Sequence, residues 1–573
     1  MDSVMERYRF WSTDPYFDAD TRAELVALHD HPAEIEDRFY KDLEFGTAGL
    51  RGVIGAGTNR MNRYTVRLAT RGLADSVAAL GPEACHRGVV IAHDPRHFSP
   101  EFAREAALVL AARGIRSFLW DSLRPTPMLS FGVRRLGAIA GIMITASHNP
   151  PAYNGYKVYW EDGGQVPPER AAEILARVRA IGDIRTVVPM GEDKARGEGL
   201  LQDVPEFVDL DYLDRLRSLA TDPGLDRSGC RLLYSPLHGT GNLPVRRVLT
   251  EVGYRISVVP EQALPDPNFS TVKYPNPEDA EVFTLALKQA EREQPDVIMA
   301  SDPDADRLGL LARDAAGEYR LLSGNQIGAL LTEFILRHRK EQGDLPADGV
   351  VIKSIASTNL VAPICQAYGV KLMEVHTGFK FIGDKIREFE ERGSGTFLFG
   401  FEESYGYLAA PFVRDKDAVM AALMVAEATA YHRAQGRTLY EALERIWRQY
   451  GYFQEGVHNV TLPGKDGVQR MKALMADLRA NPPKAFGELA VAFVDDYAAG
   501  TSTSATGEVG PLALGQADVL HYRFADGGFV MVRPSGTEPK LKVYVSVKGK
   551  DLPDAQRLLT QVMQAALARM GLA

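Results

Sequence analysis

Residues 140–150 read AGIMITASHNP, an apolar run that ends at Ile144 and passes directly into a polar loop. An apolar run of this length is typical of a strand buried on both faces of a parallel sheet. Two prolines, Pro150 and Pro151, stop the strand. We therefore expect Ser147 and His148 at a strand end, in extended backbone and accessible to solvent.

The same pattern recurs with helix-like segments between the apolar runs. The runs form three groups: VVIAHD, SFLWD and AGIMITAS from residues 89, 117 and 140; RLLYSP, ISVVP and VIMASD from 231, 256 and 297; VVIKSI, KLMEV and FLFGFEES from 350, 371 and 397. Such alternation predicts three related α/β modules with buried parallel strands. The last run of each group leads into a polar loop: TASHNP, SDPDADR or FEESYG. Ligands bind outside the carboxyl ends of such strands, so we expect these loops to meet in one cleft.

The end of the chain follows a different pattern. FVMVRPSGTEPKLKVYVSV predicts two strands around a turn, and residues 554–570 have a helical pattern. We predict a fourth, α+β domain, and place the domains at residues 1–208, 209–322, 323–452 and 453–573.

Composition excludes several classes of function. The chain has 573 residues, of which 45% are hydrophobic and 25% charged, and its net charge is −9. A negative net charge gives no overall positive potential that would attract nucleic acid, and the sequence contains no run of lysines and arginines that would bind an anionic membrane surface. The three cysteines lack CxxC spacing, and the first residues lack a signal-peptide core. We expect a cytoplasmic protein whose oligomeric state, monomer or dimer, the sequence leaves open.

Three carboxylates alternate in the loop SDPDADR, at Asp302, Asp304 and Asp306. In extended backbone they point to one side and supply the oxygen ligands that Mg²⁺ prefers. A solvated acidic turn is the alternative, but clustered carboxylates after an apolar strand favour a cation. A calcium EF-hand is excluded, because Arg307 and Arg313 stand where its glycine and glutamate belong. Arg307 either neutralises the cluster or reaches a phosphate.

Ser147 and His148 are neighbours whose side chains diverge in extended backbone, so we expect no hydrogen bond between them. A hydrolase triad is therefore poorly supported. Beside a divalent metal and an arginine, Ser147 is a better candidate for carrying a phosphoryl group. A serine that only caps a turn is the alternative.

Further loops carry groups that bind phosphate or sugar. RPSGTEPK offers Arg533, the hydroxyls of Ser535 and Thr537, and a backbone N–H near Gly536, although a plain hairpin turn has the same composition. Glu402 and Ser404 are suited to pair with sugar hydroxyls, although a half-buried glutamate in an ion pair would have the same pattern.

Two side chains in HTGFKF, His376 and Lys380, are candidates for proton transfer, and a surface lysine is an equal alternative. HGTG at His238 is only a fragment of a dinucleotide fingerprint, and the sequence contains no GxxxxGK[ST] phosphate loop.

Taken together, GTAGLRG, TASHNP, DPDADR, HTGFK, FEESYG and RPSGT occur in the order found in the α-D-phosphohexomutase superfamily. The lead-in EDRFYKDLEFGTAGLRG resembles its long-chain phosphoglucomutase and phosphopentomutase branch. Two departures, Ala48 for serine and Pro303 for glycine, remove no expected ligand. The resemblance implies three α/β modules with mixed sheets and a C-terminal α+β domain around a central cleft.

The resemblance also implies roles for individual residues. Ser147 would be phosphorylated and would share one Mg²⁺ with Asp302, Asp304 and Asp306. The catalytic set would further contain Arg51, His148, Arg307 and Lys380. Sugar phosphate would be bound by these residues: His376, Glu402, Ser404, Arg533, Ser535, Gly536 and Thr537.

The implied reaction interconverts α-D-glucose 1-phosphate and glucose 6-phosphate through glucose 1,6-bisphosphate, which also acts as activator. FEESYG favours glucose over mannose, while phosphopentomutase and phosphomannomutase remain alternatives with the same mechanism. A Mg²⁺-dependent sugar phosphatase and a non-catalytic sugar-phosphate binding protein are further alternatives.

Overall fold

The computed structural model describes residues 2–44, 49–220, 222–462, 467–534 and 540–572. The chain forms two compact units. The first unit contains Met1–Ala312, Gly383–Glu391 and Gly406–Ala434, and the second contains Arg313–Ile382, Arg392–Tyr405 and Gln435–Ala573.

The strands lie at β1 (Leu50–Val53), β2 (Val89–His93), β3 (Ser117–Leu119), β4 (Ala140–Ile144), β5 (Tyr153–Trp160), β6 (Leu201–Asp203), β7 (Arg231–Ser235), β8 (Arg255–Val258), β9 (Val297–Ser301), β10 (Leu308–Arg313), β11 (Tyr319–Leu322), β12 (Gly349–Ser354), β13 (Lys371–Val375), β14 (Thr396–Glu402), β15 (Gly406–Leu408), β16 (Tyr452–Thr461), β17 (Ala485–Phe486), β18 (Leu489–Asp496), β19 (Thr501–Ser504), β20 (Val509–Pro511), β21 (Leu520–Phe524), β22 (Phe529–Pro534) and β23 (Lys540–Gly549).

The α-helices lie at α1 (Asp2–Thr13), α2 (Ala19–Val26), α3 (Pro32–Phe39), α4 (Arg63–Ala78), α5 (Pro82–Arg87), α6 (Ser99–Ala111), α7 (Thr126–Leu136), α8 (Pro168–Arg179), α9 (Glu192–Gly197), α10 (Phe207–Arg217), α11 (Asn242–Glu251), α12 (Pro260–Ala263), α13 (Thr284–Glu293), α14 (Gly324–Gln342), α15 (Val361–Tyr368), α16 (Lys380–Arg392), α17 (Ala418–Ala434), α18 (Leu439–Tyr450), α19 (Gly467–Ala480) and α20 (Leu552–Arg569). Short 3₁₀ helices cover Ile184–Thr186 and Ala280–Phe283. Among the described helices, none is both long and apolar enough to cross a lipid bilayer.

Three modules share one arrangement of parallel strands. In each, the first predicted strand lies between the other two: the orders are β3-β2-β4, β8-β7-β9 and β13-β12-β14. All six of these pairings are parallel. The nine predicted strands and their parallel pairing are confirmed. Placing the first strand centrally leaves the loops after all three strands at one edge of each sheet.

Antiparallel strands extend the first two of these sheets. In the first unit β5 pairs with β4 and with β1, and β10 pairs with β9, all antiparallel. The predicted mixed α/β fold is therefore confirmed. The meeting of all the strand-end loops in one cleft stays a prediction.

The end of the second unit is an antiparallel sheet in the order β16-β23-β22-β21-β18-β19-β20, which packs against α20. The predicted hairpin is present as β22 and β23, and the predicted terminal helix is α20. The turn between β22 and β23 falls on residues 535–539, outside the described residues.

Helix starts follow from local side-chain chemistry. Asn62, Ser323 and Thr438 begin α4, α14 and α18 as capping boxes, in which each side chain accepts an N–H of the first turn. The N-terminal helices α1 to α3 bury an aromatic cluster in which the rings of Trp11 and Phe17 stack at 4.4 Å. Tyr64 of α4 belongs to the same cluster, so aromatic packing attaches this N-terminal extension to the first module.

Glu455 joins the C-terminal sheet to the loop after β12 within the second unit. Its Oε1 accepts hydrogen bonds from Thr358 at 2.5 Å and from Ser546 at 3.4 Å. Burial raises the pKa of Glu455 to about 7. The unfolded chain therefore loses this proton near pH 4.5 while the folded chain keeps it up to about pH 7, so the fold loses stability as the pH rises through that window.

We predict that Glu455→Gln, which mimics the protonated side chain, stabilises the protein by about 2 kcal/mol more at pH 8 than at pH 5. Urea unfolding at the two pH values measures this difference. Glu508→Gln, at a solvent-exposed position of the same unit, is the control and should show no such difference. Equal effects of Glu455→Gln at both pH values would contradict the prediction.

Candidate active site

Ser147 lies in the loop after β4 and is 3% exposed. Its backbone is left-handed, with φ of 52°. Its Oγ donates a hydrogen bond to Oδ2 of Asp302 at 2.6 Å and lies 3.2 Å from Nδ1 of His148. The expected extended backbone and diverging side chains are therefore wrong, and so is the expected solvent accessibility of Ser147, while His148 is half-buried. The left-handed turn brings the two neighbouring side chains to the same side and points the serine at the acidic loop.

The acidic loop is a turn, with Ala305 at φ 51°, so the expected extended backbone is wrong here too. Oδ1 of Asp302 accepts the N–H groups of Asp306 and Arg307 at 3.1 and 3.0 Å, which closes the turn. The three carboxylates converge to within 4.8 Å, and all three residues are buried. The predicted cluster of carboxylates is present, but a turn capped by Asp302 creates it.

Two buried lysines balance this charge. Nζ of Lys157 lies 2.8 Å from Oδ2 of Asp304 and 3.3 Å from Oδ2 of Asp306, and Nζ of Lys416 lies 3.1 Å from the same oxygen of Asp306. Thr126 donates a further hydrogen bond to Oδ2 of Asp304 at 2.8 Å. Each lysine is at most 7% exposed. Paired ammonium groups are what allow several carboxylates to be buried together.

The pKa values follow from burial and these neighbours. Burial, with Asp304 and Asp306 nearby, raises the pKa of Asp302 well above its ordinary value. Burial also acts to raise the pKa of Asp306, but Lys416 and Lys157 outweigh it and hold that pKa far below its usual range. Although burial opposes the charged form, Asp304 and Asp306 raise the pKa of Lys157. Lys157 therefore stays charged, while the repulsion within the cluster disfavours the charged form of Asp302.

Two buried carboxylate oxygens of the cluster accept no hydrogen bond from the described residues: Oδ1 of Asp304 and Oδ1 of Asp306. Buried carboxylate oxygens are normally satisfied. Together with the side of Asp302 that faces Ser147, they form an all-oxygen set suited to a hard divalent cation. The residues thus fit a Mg²⁺ site.

Two arginines and one imidazole contact the serine loop or the acidic loop in the first unit. Arg51 donates from Nη1 to Oδ1 of Asn149 at 3.0 Å. Arg307 donates to Glu278 at 2.6 Å, and its Nε lies 3.9 Å from Oδ1 of Asp306. Burial, reinforced by Arg307 and Arg51, lowers the pKa of His148 well below its ordinary value. His148 is therefore neutral near pH 7, and the arginines carry the positive charge.

The remaining predicted residues lie in the second unit. Glu402 is the last residue of β14 and is buried, and half-buried Ser404 follows in the turn. His376 follows β13 and donates from Nε2 to the carbonyl of Gly515 at 2.6 Å. Lys380 begins α16, and Arg533 lies in β22 opposite Lys542. Three predicted phosphate ligands lie outside the described residues: Ser535, Gly536 and Thr537.

The segment HGTG, residues 238–241, contacts the backbone of the acidic loop. The N–H of Thr240 donates to the carbonyl of Pro303 at 2.8 Å. A Cβ added to Gly239 would lie 2.5 Å from Cα of Pro303, so only glycine allows the two backbones to approach this closely. The fragment that resembles a dinucleotide fingerprint thus positions the candidate metal loop.

Four consecutive family domains match this chain. Residues 42–185, 211–317 and 323–450 match phosphoglucomutase/phosphomannomutase alpha/beta/alpha domains I, II and III, and residues 458–565 match the C-terminal domain. A curated phosphoglucomutase from Staphylococcus haemolyticus is 39% identical over 520 residues, which cover 89% of this chain and 91% of that protein.

The chain belongs to the phosphoglucomutase/phosphomannomutase family. This confirms the superfamily resemblance and makes the chain an isomerase that transfers a phosphoryl group.

Solved structures show the same fold. Parafusin, a phosphoglucomutase from Paramecium in an open form, has a TM-score of 0.68 at 17% identity and covers 93% of this chain and 95% of its own. Aspergillus fumigatus N-acetylphosphoglucosamine mutase, in complex with GlcNAc-6P and magnesium, has a TM-score of 0.52 at 15% identity and covers 99% of both chains.

For this member of the phosphoglucomutase/phosphomannomutase family, sequence reasoning missed the lysines that balance the acidic cluster. Lys157 carried a signal, because a lysine inside the otherwise buried strand β5 needs a partner. For Lys416 the sequence gave no comparable signal, because it lies among other charged residues in the run RDKD. Thr126, an ordinary first residue of α7, gave no sign of its contact with Asp304.

We predict that Gly239→Ala weakens Mg²⁺ binding roughly 10-fold, because the added methyl displaces the backbone of Pro303, and changes behind metal ligands typically cost that much. Mg²⁺ titration by calorimetry on the purified protein measures the affinity. Gly182→Ala is the control, because a Cβ there meets no atom within 4 Å. A folded Gly239→Ala variant with unchanged Mg²⁺ affinity would refute this support role.

Proposed function

We propose that this enzyme interconverts α-D-glucose 1-phosphate and glucose 6-phosphate, with Ser147 as the phosphoryl carrier. The observation that carries the proposal is the 2.6 Å hydrogen bond from Oγ of Ser147 to Asp302, inside a buried cluster of three carboxylates, two lysines and Arg307. A serine whose hydroxyl is already held at such a cluster is placed for phosphoryl transfer. The choice of glucose is supported by the Staphylococcus haemolyticus relative and its name.

Phosphorylated Ser147 would give its phosphoryl group to a free hydroxyl of the bound sugar phosphate. The bond between phosphorus and Oγ breaks as the bond to the sugar oxygen forms, and the hydroxyl proton passes to a base. The sugar is then glucose 1,6-bisphosphate. Oγ of Ser147, left as an alkoxide by this first transfer, takes up the proton held by the base. After the bisphosphate reorients in the site, Oγ returns its proton to the base and attacks the phosphorus at the other end, and the second sugar oxygen leaves and takes that proton to become a hydroxyl. The enzyme ends phosphorylated, as it began.

The cluster residues would hold the metal. Asp302, Asp304 and Asp306 are the ligands we propose, together with an oxygen of the phosphoserine. When bound, Mg²⁺ supplies charge stabilisation at the transferring phosphoryl oxygens. Lys157 and Lys416 hold Asp304 and Asp306 by their Oδ2 atoms, which leaves both Oδ1 atoms to the cation. The solved Aspergillus relative with magnesium and a sugar phosphate supports this choice of ion.

Arg51, Arg307 and neutral His148 would surround the phosphoryl group on Ser147. Arginine suits this role because its fork matches phosphate oxygens. In the second unit we assign sugar recognition to Glu402 and Ser404, and substrate binding also to His376 of the same module. Lys380 remains our candidate for the general acid and base. Arg533, with Ser535, Gly536 and Thr537, which follow it in the sequence, would hold the phosphate that is not being transferred.

The test is ³¹P spectroscopy of the purified protein with Mg²⁺, a trace of glucose 1,6-bisphosphate and α-D-glucose 1-phosphate. We expect glucose 6-phosphate and no inorganic phosphate. Ser147→Ala should lower turnover by at least about 10⁴-fold, as loss of a nucleophile does. Ser218→Ala, at an exposed helix end, is the control. Released phosphate would indicate a phosphatase, and no conversion would refute glucose as substrate.

We further predict that Arg533→Ala raises KM for glucose 1-phosphate by at least about 10-fold, from loss of a charge-assisted contact of roughly 1.5 to 3 kcal/mol. Steady-state kinetics at saturating Mg²⁺ measures KM and kcat separately. Lys550→Ala removes a charge from an exposed position of the same sheet region and should leave KM unchanged. An unchanged KM in Arg533→Ala would place the second phosphate site elsewhere.

A further inference from the structure

Arg96, in the loop after β2, is 1% exposed, and its guanidinium lies against the serine loop. Nη2 donates to the carbonyls of Ser147 and Asn149, both at 2.5 Å. Nη1 donates to the carbonyls of Pro150 and Tyr153 at 2.8 and 3.1 Å. One side chain therefore gathers four carbonyls of residues 147–153. A planar fork with several donors can do this, and an ammonium group cannot.

Asp94 is the buried partner of Arg96. Its Oδ2 lies 3.1 Å from Nε of Arg96 and accepts the hydroxyl of Thr145 at 2.7 Å. Its Oδ1 accepts the hydroxyl of Ser99 at 2.8 Å. Asp94 is thus fixed by two hydroxyls and one guanidinium, all buried, so its position is well determined.

Both backbone polar groups of Ser147 depend on this ion pair. The N–H of Ser147 donates to Oγ1 of Thr145 at 2.8 Å, and Thr145 in turn donates to Asp94. The carbonyl of Ser147 accepts from Arg96. A left-handed backbone is unfavourable for serine and persists only where its surroundings fix it. The Asp94–Arg96 pair provides that fixation from both sides of the residue.

The same guanidinium also contacts the module that carries the acidic loop. It stacks over the ring of Phe269 at 4.9 Å, and Phe269 is fully buried. Arg96 therefore contacts both the serine loop and the second module, the two parts of the first unit that meet at the hydrogen bond between Ser147 and Asp302.

We propose that Arg96 and Asp94, acting through Thr145, are positioning residues that hold Ser147 in the left-handed turn and aim its Oγ at the acidic cluster. This inference rests on the proposed role of Ser147 as phosphoryl carrier. The pair contacts backbone carbonyls, Thr145, Ser99 and Phe269, and we assign none of these groups to sugar binding. Its loss is therefore expected to slow phosphoryl transfer without weakening sugar binding.

The experiment measures phosphoryl uptake by Ser147 from glucose 1,6-bisphosphate in a single turnover, by intact-protein mass, alongside kcat and KM for glucose 1-phosphate. Arg96→Lys keeps the charge and loses the fork. We expect its uptake rate and kcat to fall together, by about 100-fold, with KM changed less than about threefold. Arg60→Lys replaces another buried, ion-paired arginine of the first unit and should leave both rates unchanged.

A second pair of variants keeps the test valid if Arg96→Lys fails to fold. Thr145→Val removes the hydroxyl at nearly constant shape and should lower uptake and kcat in the same proportion. Thr145→Ser restores the hydroxyl and should restore both rates to within about threefold of wild type.

Two outcomes overturn the inference in distinguishable ways. If the wild-type protein takes up phosphoryl and both Arg96→Lys and Thr145→Val take it up at the wild-type rate, positioning is refuted and the carrier role stands. If the wild-type protein takes up none on Ser147, the proposed function fails, and the inference falls with it.

Discussion

The burial of three carboxylates within 4.8 Å of one another is the constraint on which the first unit depends. Such a cluster is tolerated only when opposite charge and hydrogen bonds accompany it. The chain supplies Lys157 from the first module, Lys416 from the segment before α17, and Arg307 from the acidic loop itself. Two of these cations also contact other carboxylates, since Lys416 lies 3.1 Å from Asp415 and Arg307 donates to Glu278. A wider network of charges, and not a one-to-one pairing, therefore accompanies the cluster.

In strand β5, the usual alternation of side chains between the two faces of a sheet places the charged Lys157 in the interior. Tyr156 and Val158 point into the apolar core of the first sheet. Lys157 and Tyr159 point to the opposite face, where the hydroxyl of Tyr159 donates to Asp415 at 2.7 Å and Asp415 also contacts Lys416. Both faces of β5 are buried. Alternate side chains of this strand therefore point to the apolar core or to a buried polar network, and not to the core or to solvent. The antiparallel register places Lys157 opposite Met143, four residues before Ser147.

Much of the architecture could be predicted because its signals are local. Apolar, β-branched runs between helical segments identified all nine central strands, and their parallel pairing followed from the alternation with helices. The carboxylate cluster and Ser147 stood out because reactive side chains directly follow buried strands. What could not be predicted were conformations fixed by distant residues. The left-handed turn at Ser147 depends on Arg96, about fifty residues earlier, and the turn at Asp302 rests on Gly239 and Thr240.

The same distinction separates the two kinds of residue at the site. Most side chains that we propose to contact the substrate or the cation lie in strand-end loops, so their sequence patterns are short and can be recognised. Side chains that fix the conformation of those loops bind backbone carbonyl and N–H groups. Nearly every residue has these groups, so the amino-acid composition of the loop does not show that it is fixed in this way. Arg96 gathers carbonyls, Thr240 donates its N–H, and Gly239 merely leaves room. In each case the contribution depends on a backbone conformation that exists only in the folded chain. Single substitutions at these positions are therefore expected to change reaction rates or metal affinity, although the sequence motifs themselves remain intact.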